Sequence, residues 1–249
     1  MKRHALIISN PGEYGAENYC EGVKVDVQNY TAFLKSPLGG GWYDSEISHL
    51  DRPFCVNLEK SISDLSSYEY TFFVFCGHGF YSAQRESTIL ELRKGQEFNS
   101  IDLRKNSNKR SILLDCCRKV EKEIITEAAL VAKFAEAREM LNMAECRRYF
   151  EKQVDNCTKG VIVGYACSKN ETAGDNQTKG GYYSHSILKA ATSWRETHKI
   201  DLTKSWSAFS VVSSHDGAIP NVKRMSGGTQ NPEIEKPRTD QYFPFAIMA

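Results

Sequence analysis

Two apolar runs in this 249-residue chain each stop at a side chain that can do chemistry. Tyr70 to Gly79 (YTFFVFCGHG) ends with His78 between two glycines, and Arg110 to Lys119 (RSILLDCCRK) carries Cys117 just past its apolar stretch. A thiol becomes a strong nucleophile only once its proton is removed, and an imidazole titrates in the range that suits it as the base. Delivered from adjacent strand ends, the two side chains would form a cysteine nucleophile and its base. A histidine in a turn and a cysteine at a strand end are more often packing residues. Here the glycines beside His78 let a substrate backbone approach closely and can offer unhindered N–H donors to an oxyanion. Asp115 and Arg118 flank the cysteine pair, which argues against a purely apolar site at Cys117, while Cys116, nearer the strand, reads as a buried filler. The pattern also starts a helix directly after Cys117, where it would favour a thiolate.

The elements that must position these residues follow from periodicity. Residues 4–9 (HALIIS) read as a strand ended by Asn10-Pro11-Gly12. Val23, Val27, Tyr30, Phe33 and Leu34 recur at helical spacing over 22–34. EISHL is a candidate second strand, and over 57–65 Leu58, Ile62 and Leu65 share one helical face. Tyr70 to Cys76 is apolar without alternation, as expected of a strand covered on both faces in a parallel sheet. Residues 88–93 and 97–103 alternate around Lys94-Gly95-Gln96 and predict a β-hairpin. Further buried strands are expected at 111–114 and 160–166, a polar loop at 168–179, a helix at 182–194 and a final strand near 209–213. The last thirty residues read as a loop whose apolar end, YFPFAIM, packs back on the body. The stretch 120–154 holds helix formers and no Gly or Pro, so it reads as a helical insert with Leu130, Phe134, Leu141 and Phe150 toward the core.

With no linker or repeat, one domain over 1–249 is expected. The alternation of strands and helices predicts an α/β, three-layer sandwich with a mostly parallel sheet of about six strands and helices on both faces. Ligands of such sheets bind outside the carboxyl ends of the strands, where both His78 and Cys117 fall.

Composition excludes other classes. The net charge is +1 and no basic block occurs, which argues against nucleic acid or anionic membrane as partner. The apolar part of MKRHALIISNPG is too short for a secretory leader or a membrane span, so a cytoplasmic protein is expected. The eight cysteines (20, 55, 76, 116, 117, 146, 157, 167) show no recurring C-x-x-C and several lie in strand-like runs, which favours reduced thiols over disulfides. A metal hydrolase is disfavoured by the lack of H-E-x-x-H or clustered histidines.

The FCGHGF and LLDCCRK boxes resemble the histidine and cysteine boxes of caspase-like cysteine peptidases (clan CD, family C14), in particular metacaspases and their bacterial relatives. A third box agrees: Tyr165 to Asp175 (YACSKNETAGD), followed by Gly180 to Ser184 (GGYYS), is similar to the metacaspase segment lining the pocket for the residue before the cut. Weaker similarity runs from the first strand and EGVKVDVQNYTAFL to the closing QNPE and FPF. The resemblance implies Cys117 as nucleophile, His78 as general base and later acid, and the backbone N–H groups of Cys117 and Gly79 as oxyanion donors. It also implies Asp115 and Asp175 as the two acidic positions of the substrate pocket. Two carboxylates there favour Arg or Lys through charge pairing and bidentate hydrogen bonds.

The expected activity is therefore that of a cysteine endopeptidase cutting proteins after Arg or Lys through an acyl-enzyme. The expected alternative is a catalytically silent caspase-like scaffold or binding module. No cofactor is required for the chemistry. Many metacaspases need calcium, and no D-x-[DN]-x-[DN]-G motif supports that here, so calcium activation is left open, as is any metal site. An activating partner or small ligand is expected, in a monomer or a homodimer. Stand-alone domains among bacterial relatives are often effectors of regulated cell death or antiphage defence, which the resemblance extends to this chain.

Two departures from the family stand out. Only 39 positions separate His78 from Cys117, against roughly 50 in caspases. The helix-forming stretch also occupies the place of the cleavable caspase linker, so an uncut chain, or one cut near the ends of that stretch, is expected.

Overall fold

Tyr70–Cys76 lacks polar alternation because both faces of its strand are covered. Tyr70, Phe72, Val74 and Cys76 enter one hydrophobic core, and Phe73 and Phe75 enter another on the opposite face. The neighbouring strands divide in the same way: Ala5 and Ile7 face the first core, Leu6 and Ile8 the second. Side chains alternate across a strand, so a strand with two apolar partners must be apolar throughout.

The computed structural model describes residues 1–118, 142–197 and 206–248. Its first part runs β1 (Arg3–Asn10), α1 (Gly22–Lys35), β2 (Ile47–Asp51), α2 (Cys55–Asp64) and β3 (Tyr70–Gly77). Then follow β4 (Gly79–Ser82), β5 (Ser87–Arg93), β6 (Gln96–Asn99) and β7 (Lys109–Asp115). The second part runs α3 (Met143–Asn156), β8 (Gly160–Tyr165), α4 (Tyr182–Thr197), β9 (Ser207–Ser210), α5 (Val211–Met225), β10 (Glu233–Glu235) and β11 (Pro244–Met248). Six strands form the central sheet in the order β10-β8-β7-β3-β1-β2, all parallel except β10. Residues of α1, α3, α4 and α5 fill the first core, while α2 and the β5-β6 hairpin cover the second. This is the expected α/β sandwich, with helices on both faces. No helix among the described residues is long and apolar enough to cross a membrane.

Three local expectations are corrected. The hairpin gains a third strand, β4, which pairs antiparallel with β5 directly after the histidine, and its second arm stops at Asn99 before a 3-10 turn. The strand expected near 209–213 ends at Ser210, and a 15-residue helix, α5, starts at Val211. Paired valines and an internal Pro220 obscured that helix; the Ser210 hydroxyl caps it by accepting from the N–H of Ser213 at 3.0 Å. Burial of Val211, Val212, Ala218 and Val222 in the first core offsets the proline, which costs about 3 kcal/mol in a helix interior. The closing residues are not all loop, since the apolar end forms β11, paired with β9. Most of the helical reading over 120–154, with Leu130, Phe134 and Leu141, lies outside the described residues; its end is helix α3, where Phe150 is buried.

Candidate active site

The β3 and β7 strand ends lie side by side, with Cys76 opposite Asp115 in the parallel register. Gly77 has φ +147°, and a Cβ there would sit 2.2 Å from the Asn10 carbonyl oxygen of β1, so only glycine lets the chain turn at this edge. The next residue is His78, whose N–H donates to the same oxygen at 3.3 Å. Its ring is covered by the loop between β1 and α1. A Cβ on Gly12 would lie 2.9 Å from Nε2 of His78, and the Cys20 thiol sits 3.7 Å from that nitrogen.

Beyond β7, Cys116 is buried and Cys117 is half-buried, its Sγ donating to the Ala173 carbonyl at 3.6 Å. Cys116 to Arg118 are not helical, and the helix expected after Cys117 lies outside the described residues. Arg118 turns into the protein. Its guanidinium donates to Thr88 Oγ1 (3.1 Å), the Cys167 carbonyl (3.0 Å) and the Glu233 carboxylate (2.6 Å), and lies 4.2 Å over the Tyr165 ring. Its backbone exchanges hydrogen bonds with Asn170 and Glu171. Arg118 therefore anchors the chain beside Cys117 to three other elements.

His78, Cys117, Asp115 and Asp175 line one small, solvent-open cleft. Cys20 and Asp26 line it too. Gly79 does not; it packs against Cys116 and begins β4.

Three carboxylates enter the cleft from three places, each held by backbone N–H groups. Asp26, from α1, accepts from Gly181 N at 3.1 and 2.9 Å. Asp115, ending β7, accepts from Ser184 N at 2.8 Å. Asp175, in the loop before α4, accepts from Gly22 N at 3.1 Å and Asn176 N at 2.6 Å. Burial raises the pKa of all three. For Asp26 the next cause is Asp115, and for Asp115 the result is about 6. For Asp175 its two N–H donors and His78 oppose the rise. Burial, then Asp175, pushes the Cys20 thiol up to about 12.

Asp26 was missed in the sequence although a signal existed. It stands three residues after Val23 and four before Tyr30, on the apolar face of α1, where a carboxylate needs a reason. The role of QNPE was equally hidden. Gln230 accepts from Gly174 N and donates to the Ala166 carbonyl, both at 2.9 Å, Asn231 bonds Glu171, and Glu233 pairs with Arg118. The closing segment thus holds the third box in place.

The raised pKa of Asp115 makes a stability prediction. A carboxyl whose folded pKa lies above its unfolded value stabilises the fold when protonated, fully so below about 4, and that contribution is lost as pH rises through about 6. The shift corresponds to about 3 kcal/mol against the ionised form for a residue only 6% exposed. Asp115→Asn is therefore expected to raise the melting midpoint by about 5 °C at pH 7.5, with the gain shrinking toward pH 4. Scanning fluorimetry across that range is the check, and a midpoint lowered at every pH would contradict the assignment.

Residues 2–243 match the family model of the caspase domain of C14 peptidases. The chain belongs to the caspase-domain family. Its fold is similar to that of caspase-1 from Spodoptera frugiperda, with a TM-score of 0.57, 11% identity, and coverage of 94% of this chain and 86% of that one. No curated protein is detectably similar in sequence. The family is one of cysteine peptidases, and in this caspase domain the thiol and imidazole of the two sequence boxes share a cleft. Among the described residues no group of three or more His, Cys, Asp and Glu side chains is arranged to hold a metal ion.

Proposed function

We propose that this caspase-domain protein is a cysteine endopeptidase of the metacaspase type that cleaves after Arg or Lys. The observation that carries the reading is the content of one cleft: the Cys117 thiol, the His78 imidazole and three carboxylates, with no Lys or Arg among the lining residues. A cationic side chain is the natural counterpart of such a site.

In the proposed reaction the cation enters beside Asp26, Asp115 and Asp175, which sets the following carbonyl against Cys117. His78 takes the Cys117 proton, and the sulfur attacks the carbonyl carbon. The family resemblance gives the oxyanion the N–H groups of Cys117 and of Gly79, the latter just outside the cleft lining. His78 then returns the proton to the departing amine, and water, deprotonated by His78, releases the acyl group from sulfur. These steps need no cofactor.

We extend the proposal to a regulated effector of cell death or antiphage defence, on the family resemblance and on the toxicity of uncontrolled cutting after basic residues. The test is a set of fluorogenic peptides differing only in the residue before the reporter. Arg and Lys are expected to exceed Asp and Ala by about a hundredfold or more in kcat/KM. A preference for Asp would refute the specificity, and full activity of the purified protein alone would count against a switched effector.

A further inference from the structure

Asp26 and Asp115 meet around a single residue. Gly181 gives its N–H to both oxygens of Asp26, and a Cβ on Gly181 would lie 2.3 Å from Oδ2 of Asp115. At the adjacent Gly180, with φ +88°, a Cβ would lie 1.9 Å from Oδ1 of Asp26. The two carboxylates, 2% and 6% exposed, thus occupy space that only a pair of glycines leaves open. Their hydrogen-bond donors are neutral groups, the N–H of Gly181 and the Ser184 backbone and side chain.

No Lys or Arg lines the cleft around the pair. Asp175 and Cys20 face the pair from loops and Cys76 from β3. Tyr30 of α1 and Tyr183 of α4 face it from the helices. At the mouth stand Cys117 and His78, the latter being the basic group among the lining residues. Two buried carboxylates beside a third cannot all ionise without a counter-cation, because desolvation and mutual repulsion both favour the protonated form. One proton held by the pair resolves the conflict before substrate binds.

We propose that the pocket admits the substrate's cationic side chain in exchange for a proton held between Asp26 and Asp115. The inference rests on the Arg and Lys reading above and adds that recognition is coupled to proton release. One carboxyl O–H bond breaks, the proton passes to the buffer, and the guanidinium or ammonium takes its place as the neutralising charge. A neutral side chain cannot drive that exchange, so selectivity for cations strengthens as pH rises through the range in which the proton is held.

Calorimetric titration of the Cys117→Ala protein with a capped peptide carrying Arg before the cut tests this. At pH 6, in two buffers of different ionisation enthalpy, about one proton is expected to leave per peptide bound. The same peptide with citrulline in place of Arg should bind at least about tenfold more weakly, without release. Adding Asp115→Asn should weaken binding of the Arg peptide and cut the proton count per peptide bound by more than half, and Asp26→Asn serves the same purpose should the first variant misfold. Arg binding without proton release, or with a release unchanged in both variants, would overturn the exchange and leave the proposed specificity standing. Failure of the Arg peptide to bind where an Asp peptide binds would overturn both.

Discussion

Cys117→Ala is expected to leave no measurable cleavage of Arg or Lys peptides, a loss on the order of a thousandfold or more in kcat, because no acyl-enzyme can form without the sulfur. Cys20 raises the question of a substitute nucleophile, since its thiol lies 3.7 Å from Nε2 of His78 in the same cleft. Burial and Asp175 hold that thiol protonated, with a pKa near 12, so it is not expected to take over. The variant should fold normally because the Cys117 side chain is half-buried and its Sγ contact to Ala173 is a weak one. Reporter release by wild type and variant is the measurement. Equal signals would end the peptidase reading and favour the alternative, a silent caspase-like scaffold.

The second large effect is expected from Asp115→Ala. A buried carboxylate paired with a substrate cation is worth about 2–5 kcal/mol when one partner is truncated, so kcat/KM for Arg and Lys peptides should fall about a hundredfold, with Ala peptides little changed. The alkylation rate of Cys117 by iodoacetamide should stay within about twofold, since Asp115 is proposed to act on the substrate and not on the thiol. The substitution also removes the acceptor for Ser184 N at the start of α4. Asp115→Asn, which keeps an acceptor there, separates loss of charge from loss of that bond. An alanine variant that retained its preference for basic residues would show that the pocket has been misassigned even with Cys117 and His78 correct.

Legibility in the sequence followed the range of the interaction concerned. β3 and β7 were readable because a doubly covered strand is apolar throughout, and α1 because its buried face repeats every three to four residues. β4 was not, since its four half-buried residues carry no pattern and exist as a strand through pairing with β5. α5 was hidden for the opposite reason, its local signals of Val211, Val212 and Pro220 being overridden by packing.

For the site, the sequence by itself determined the two reactive side chains and their place beyond strand ends, because turn glycines, apolar runs and family boxes are properties of contiguous residues. It also presented Asp115 and Asp175 as neighbours of those boxes. Only the tertiary structure decided the company they keep. It brought Asp26 from the first helix onto Gly181, laid Cys20 against the imidazole, and turned Arg118 away from the cleft into a clamp on the third box. Those contacts join residues far apart in the chain, and their direction depends on how α1, the sheet edge and the closing QNPE segment pack together, which no local pattern encodes.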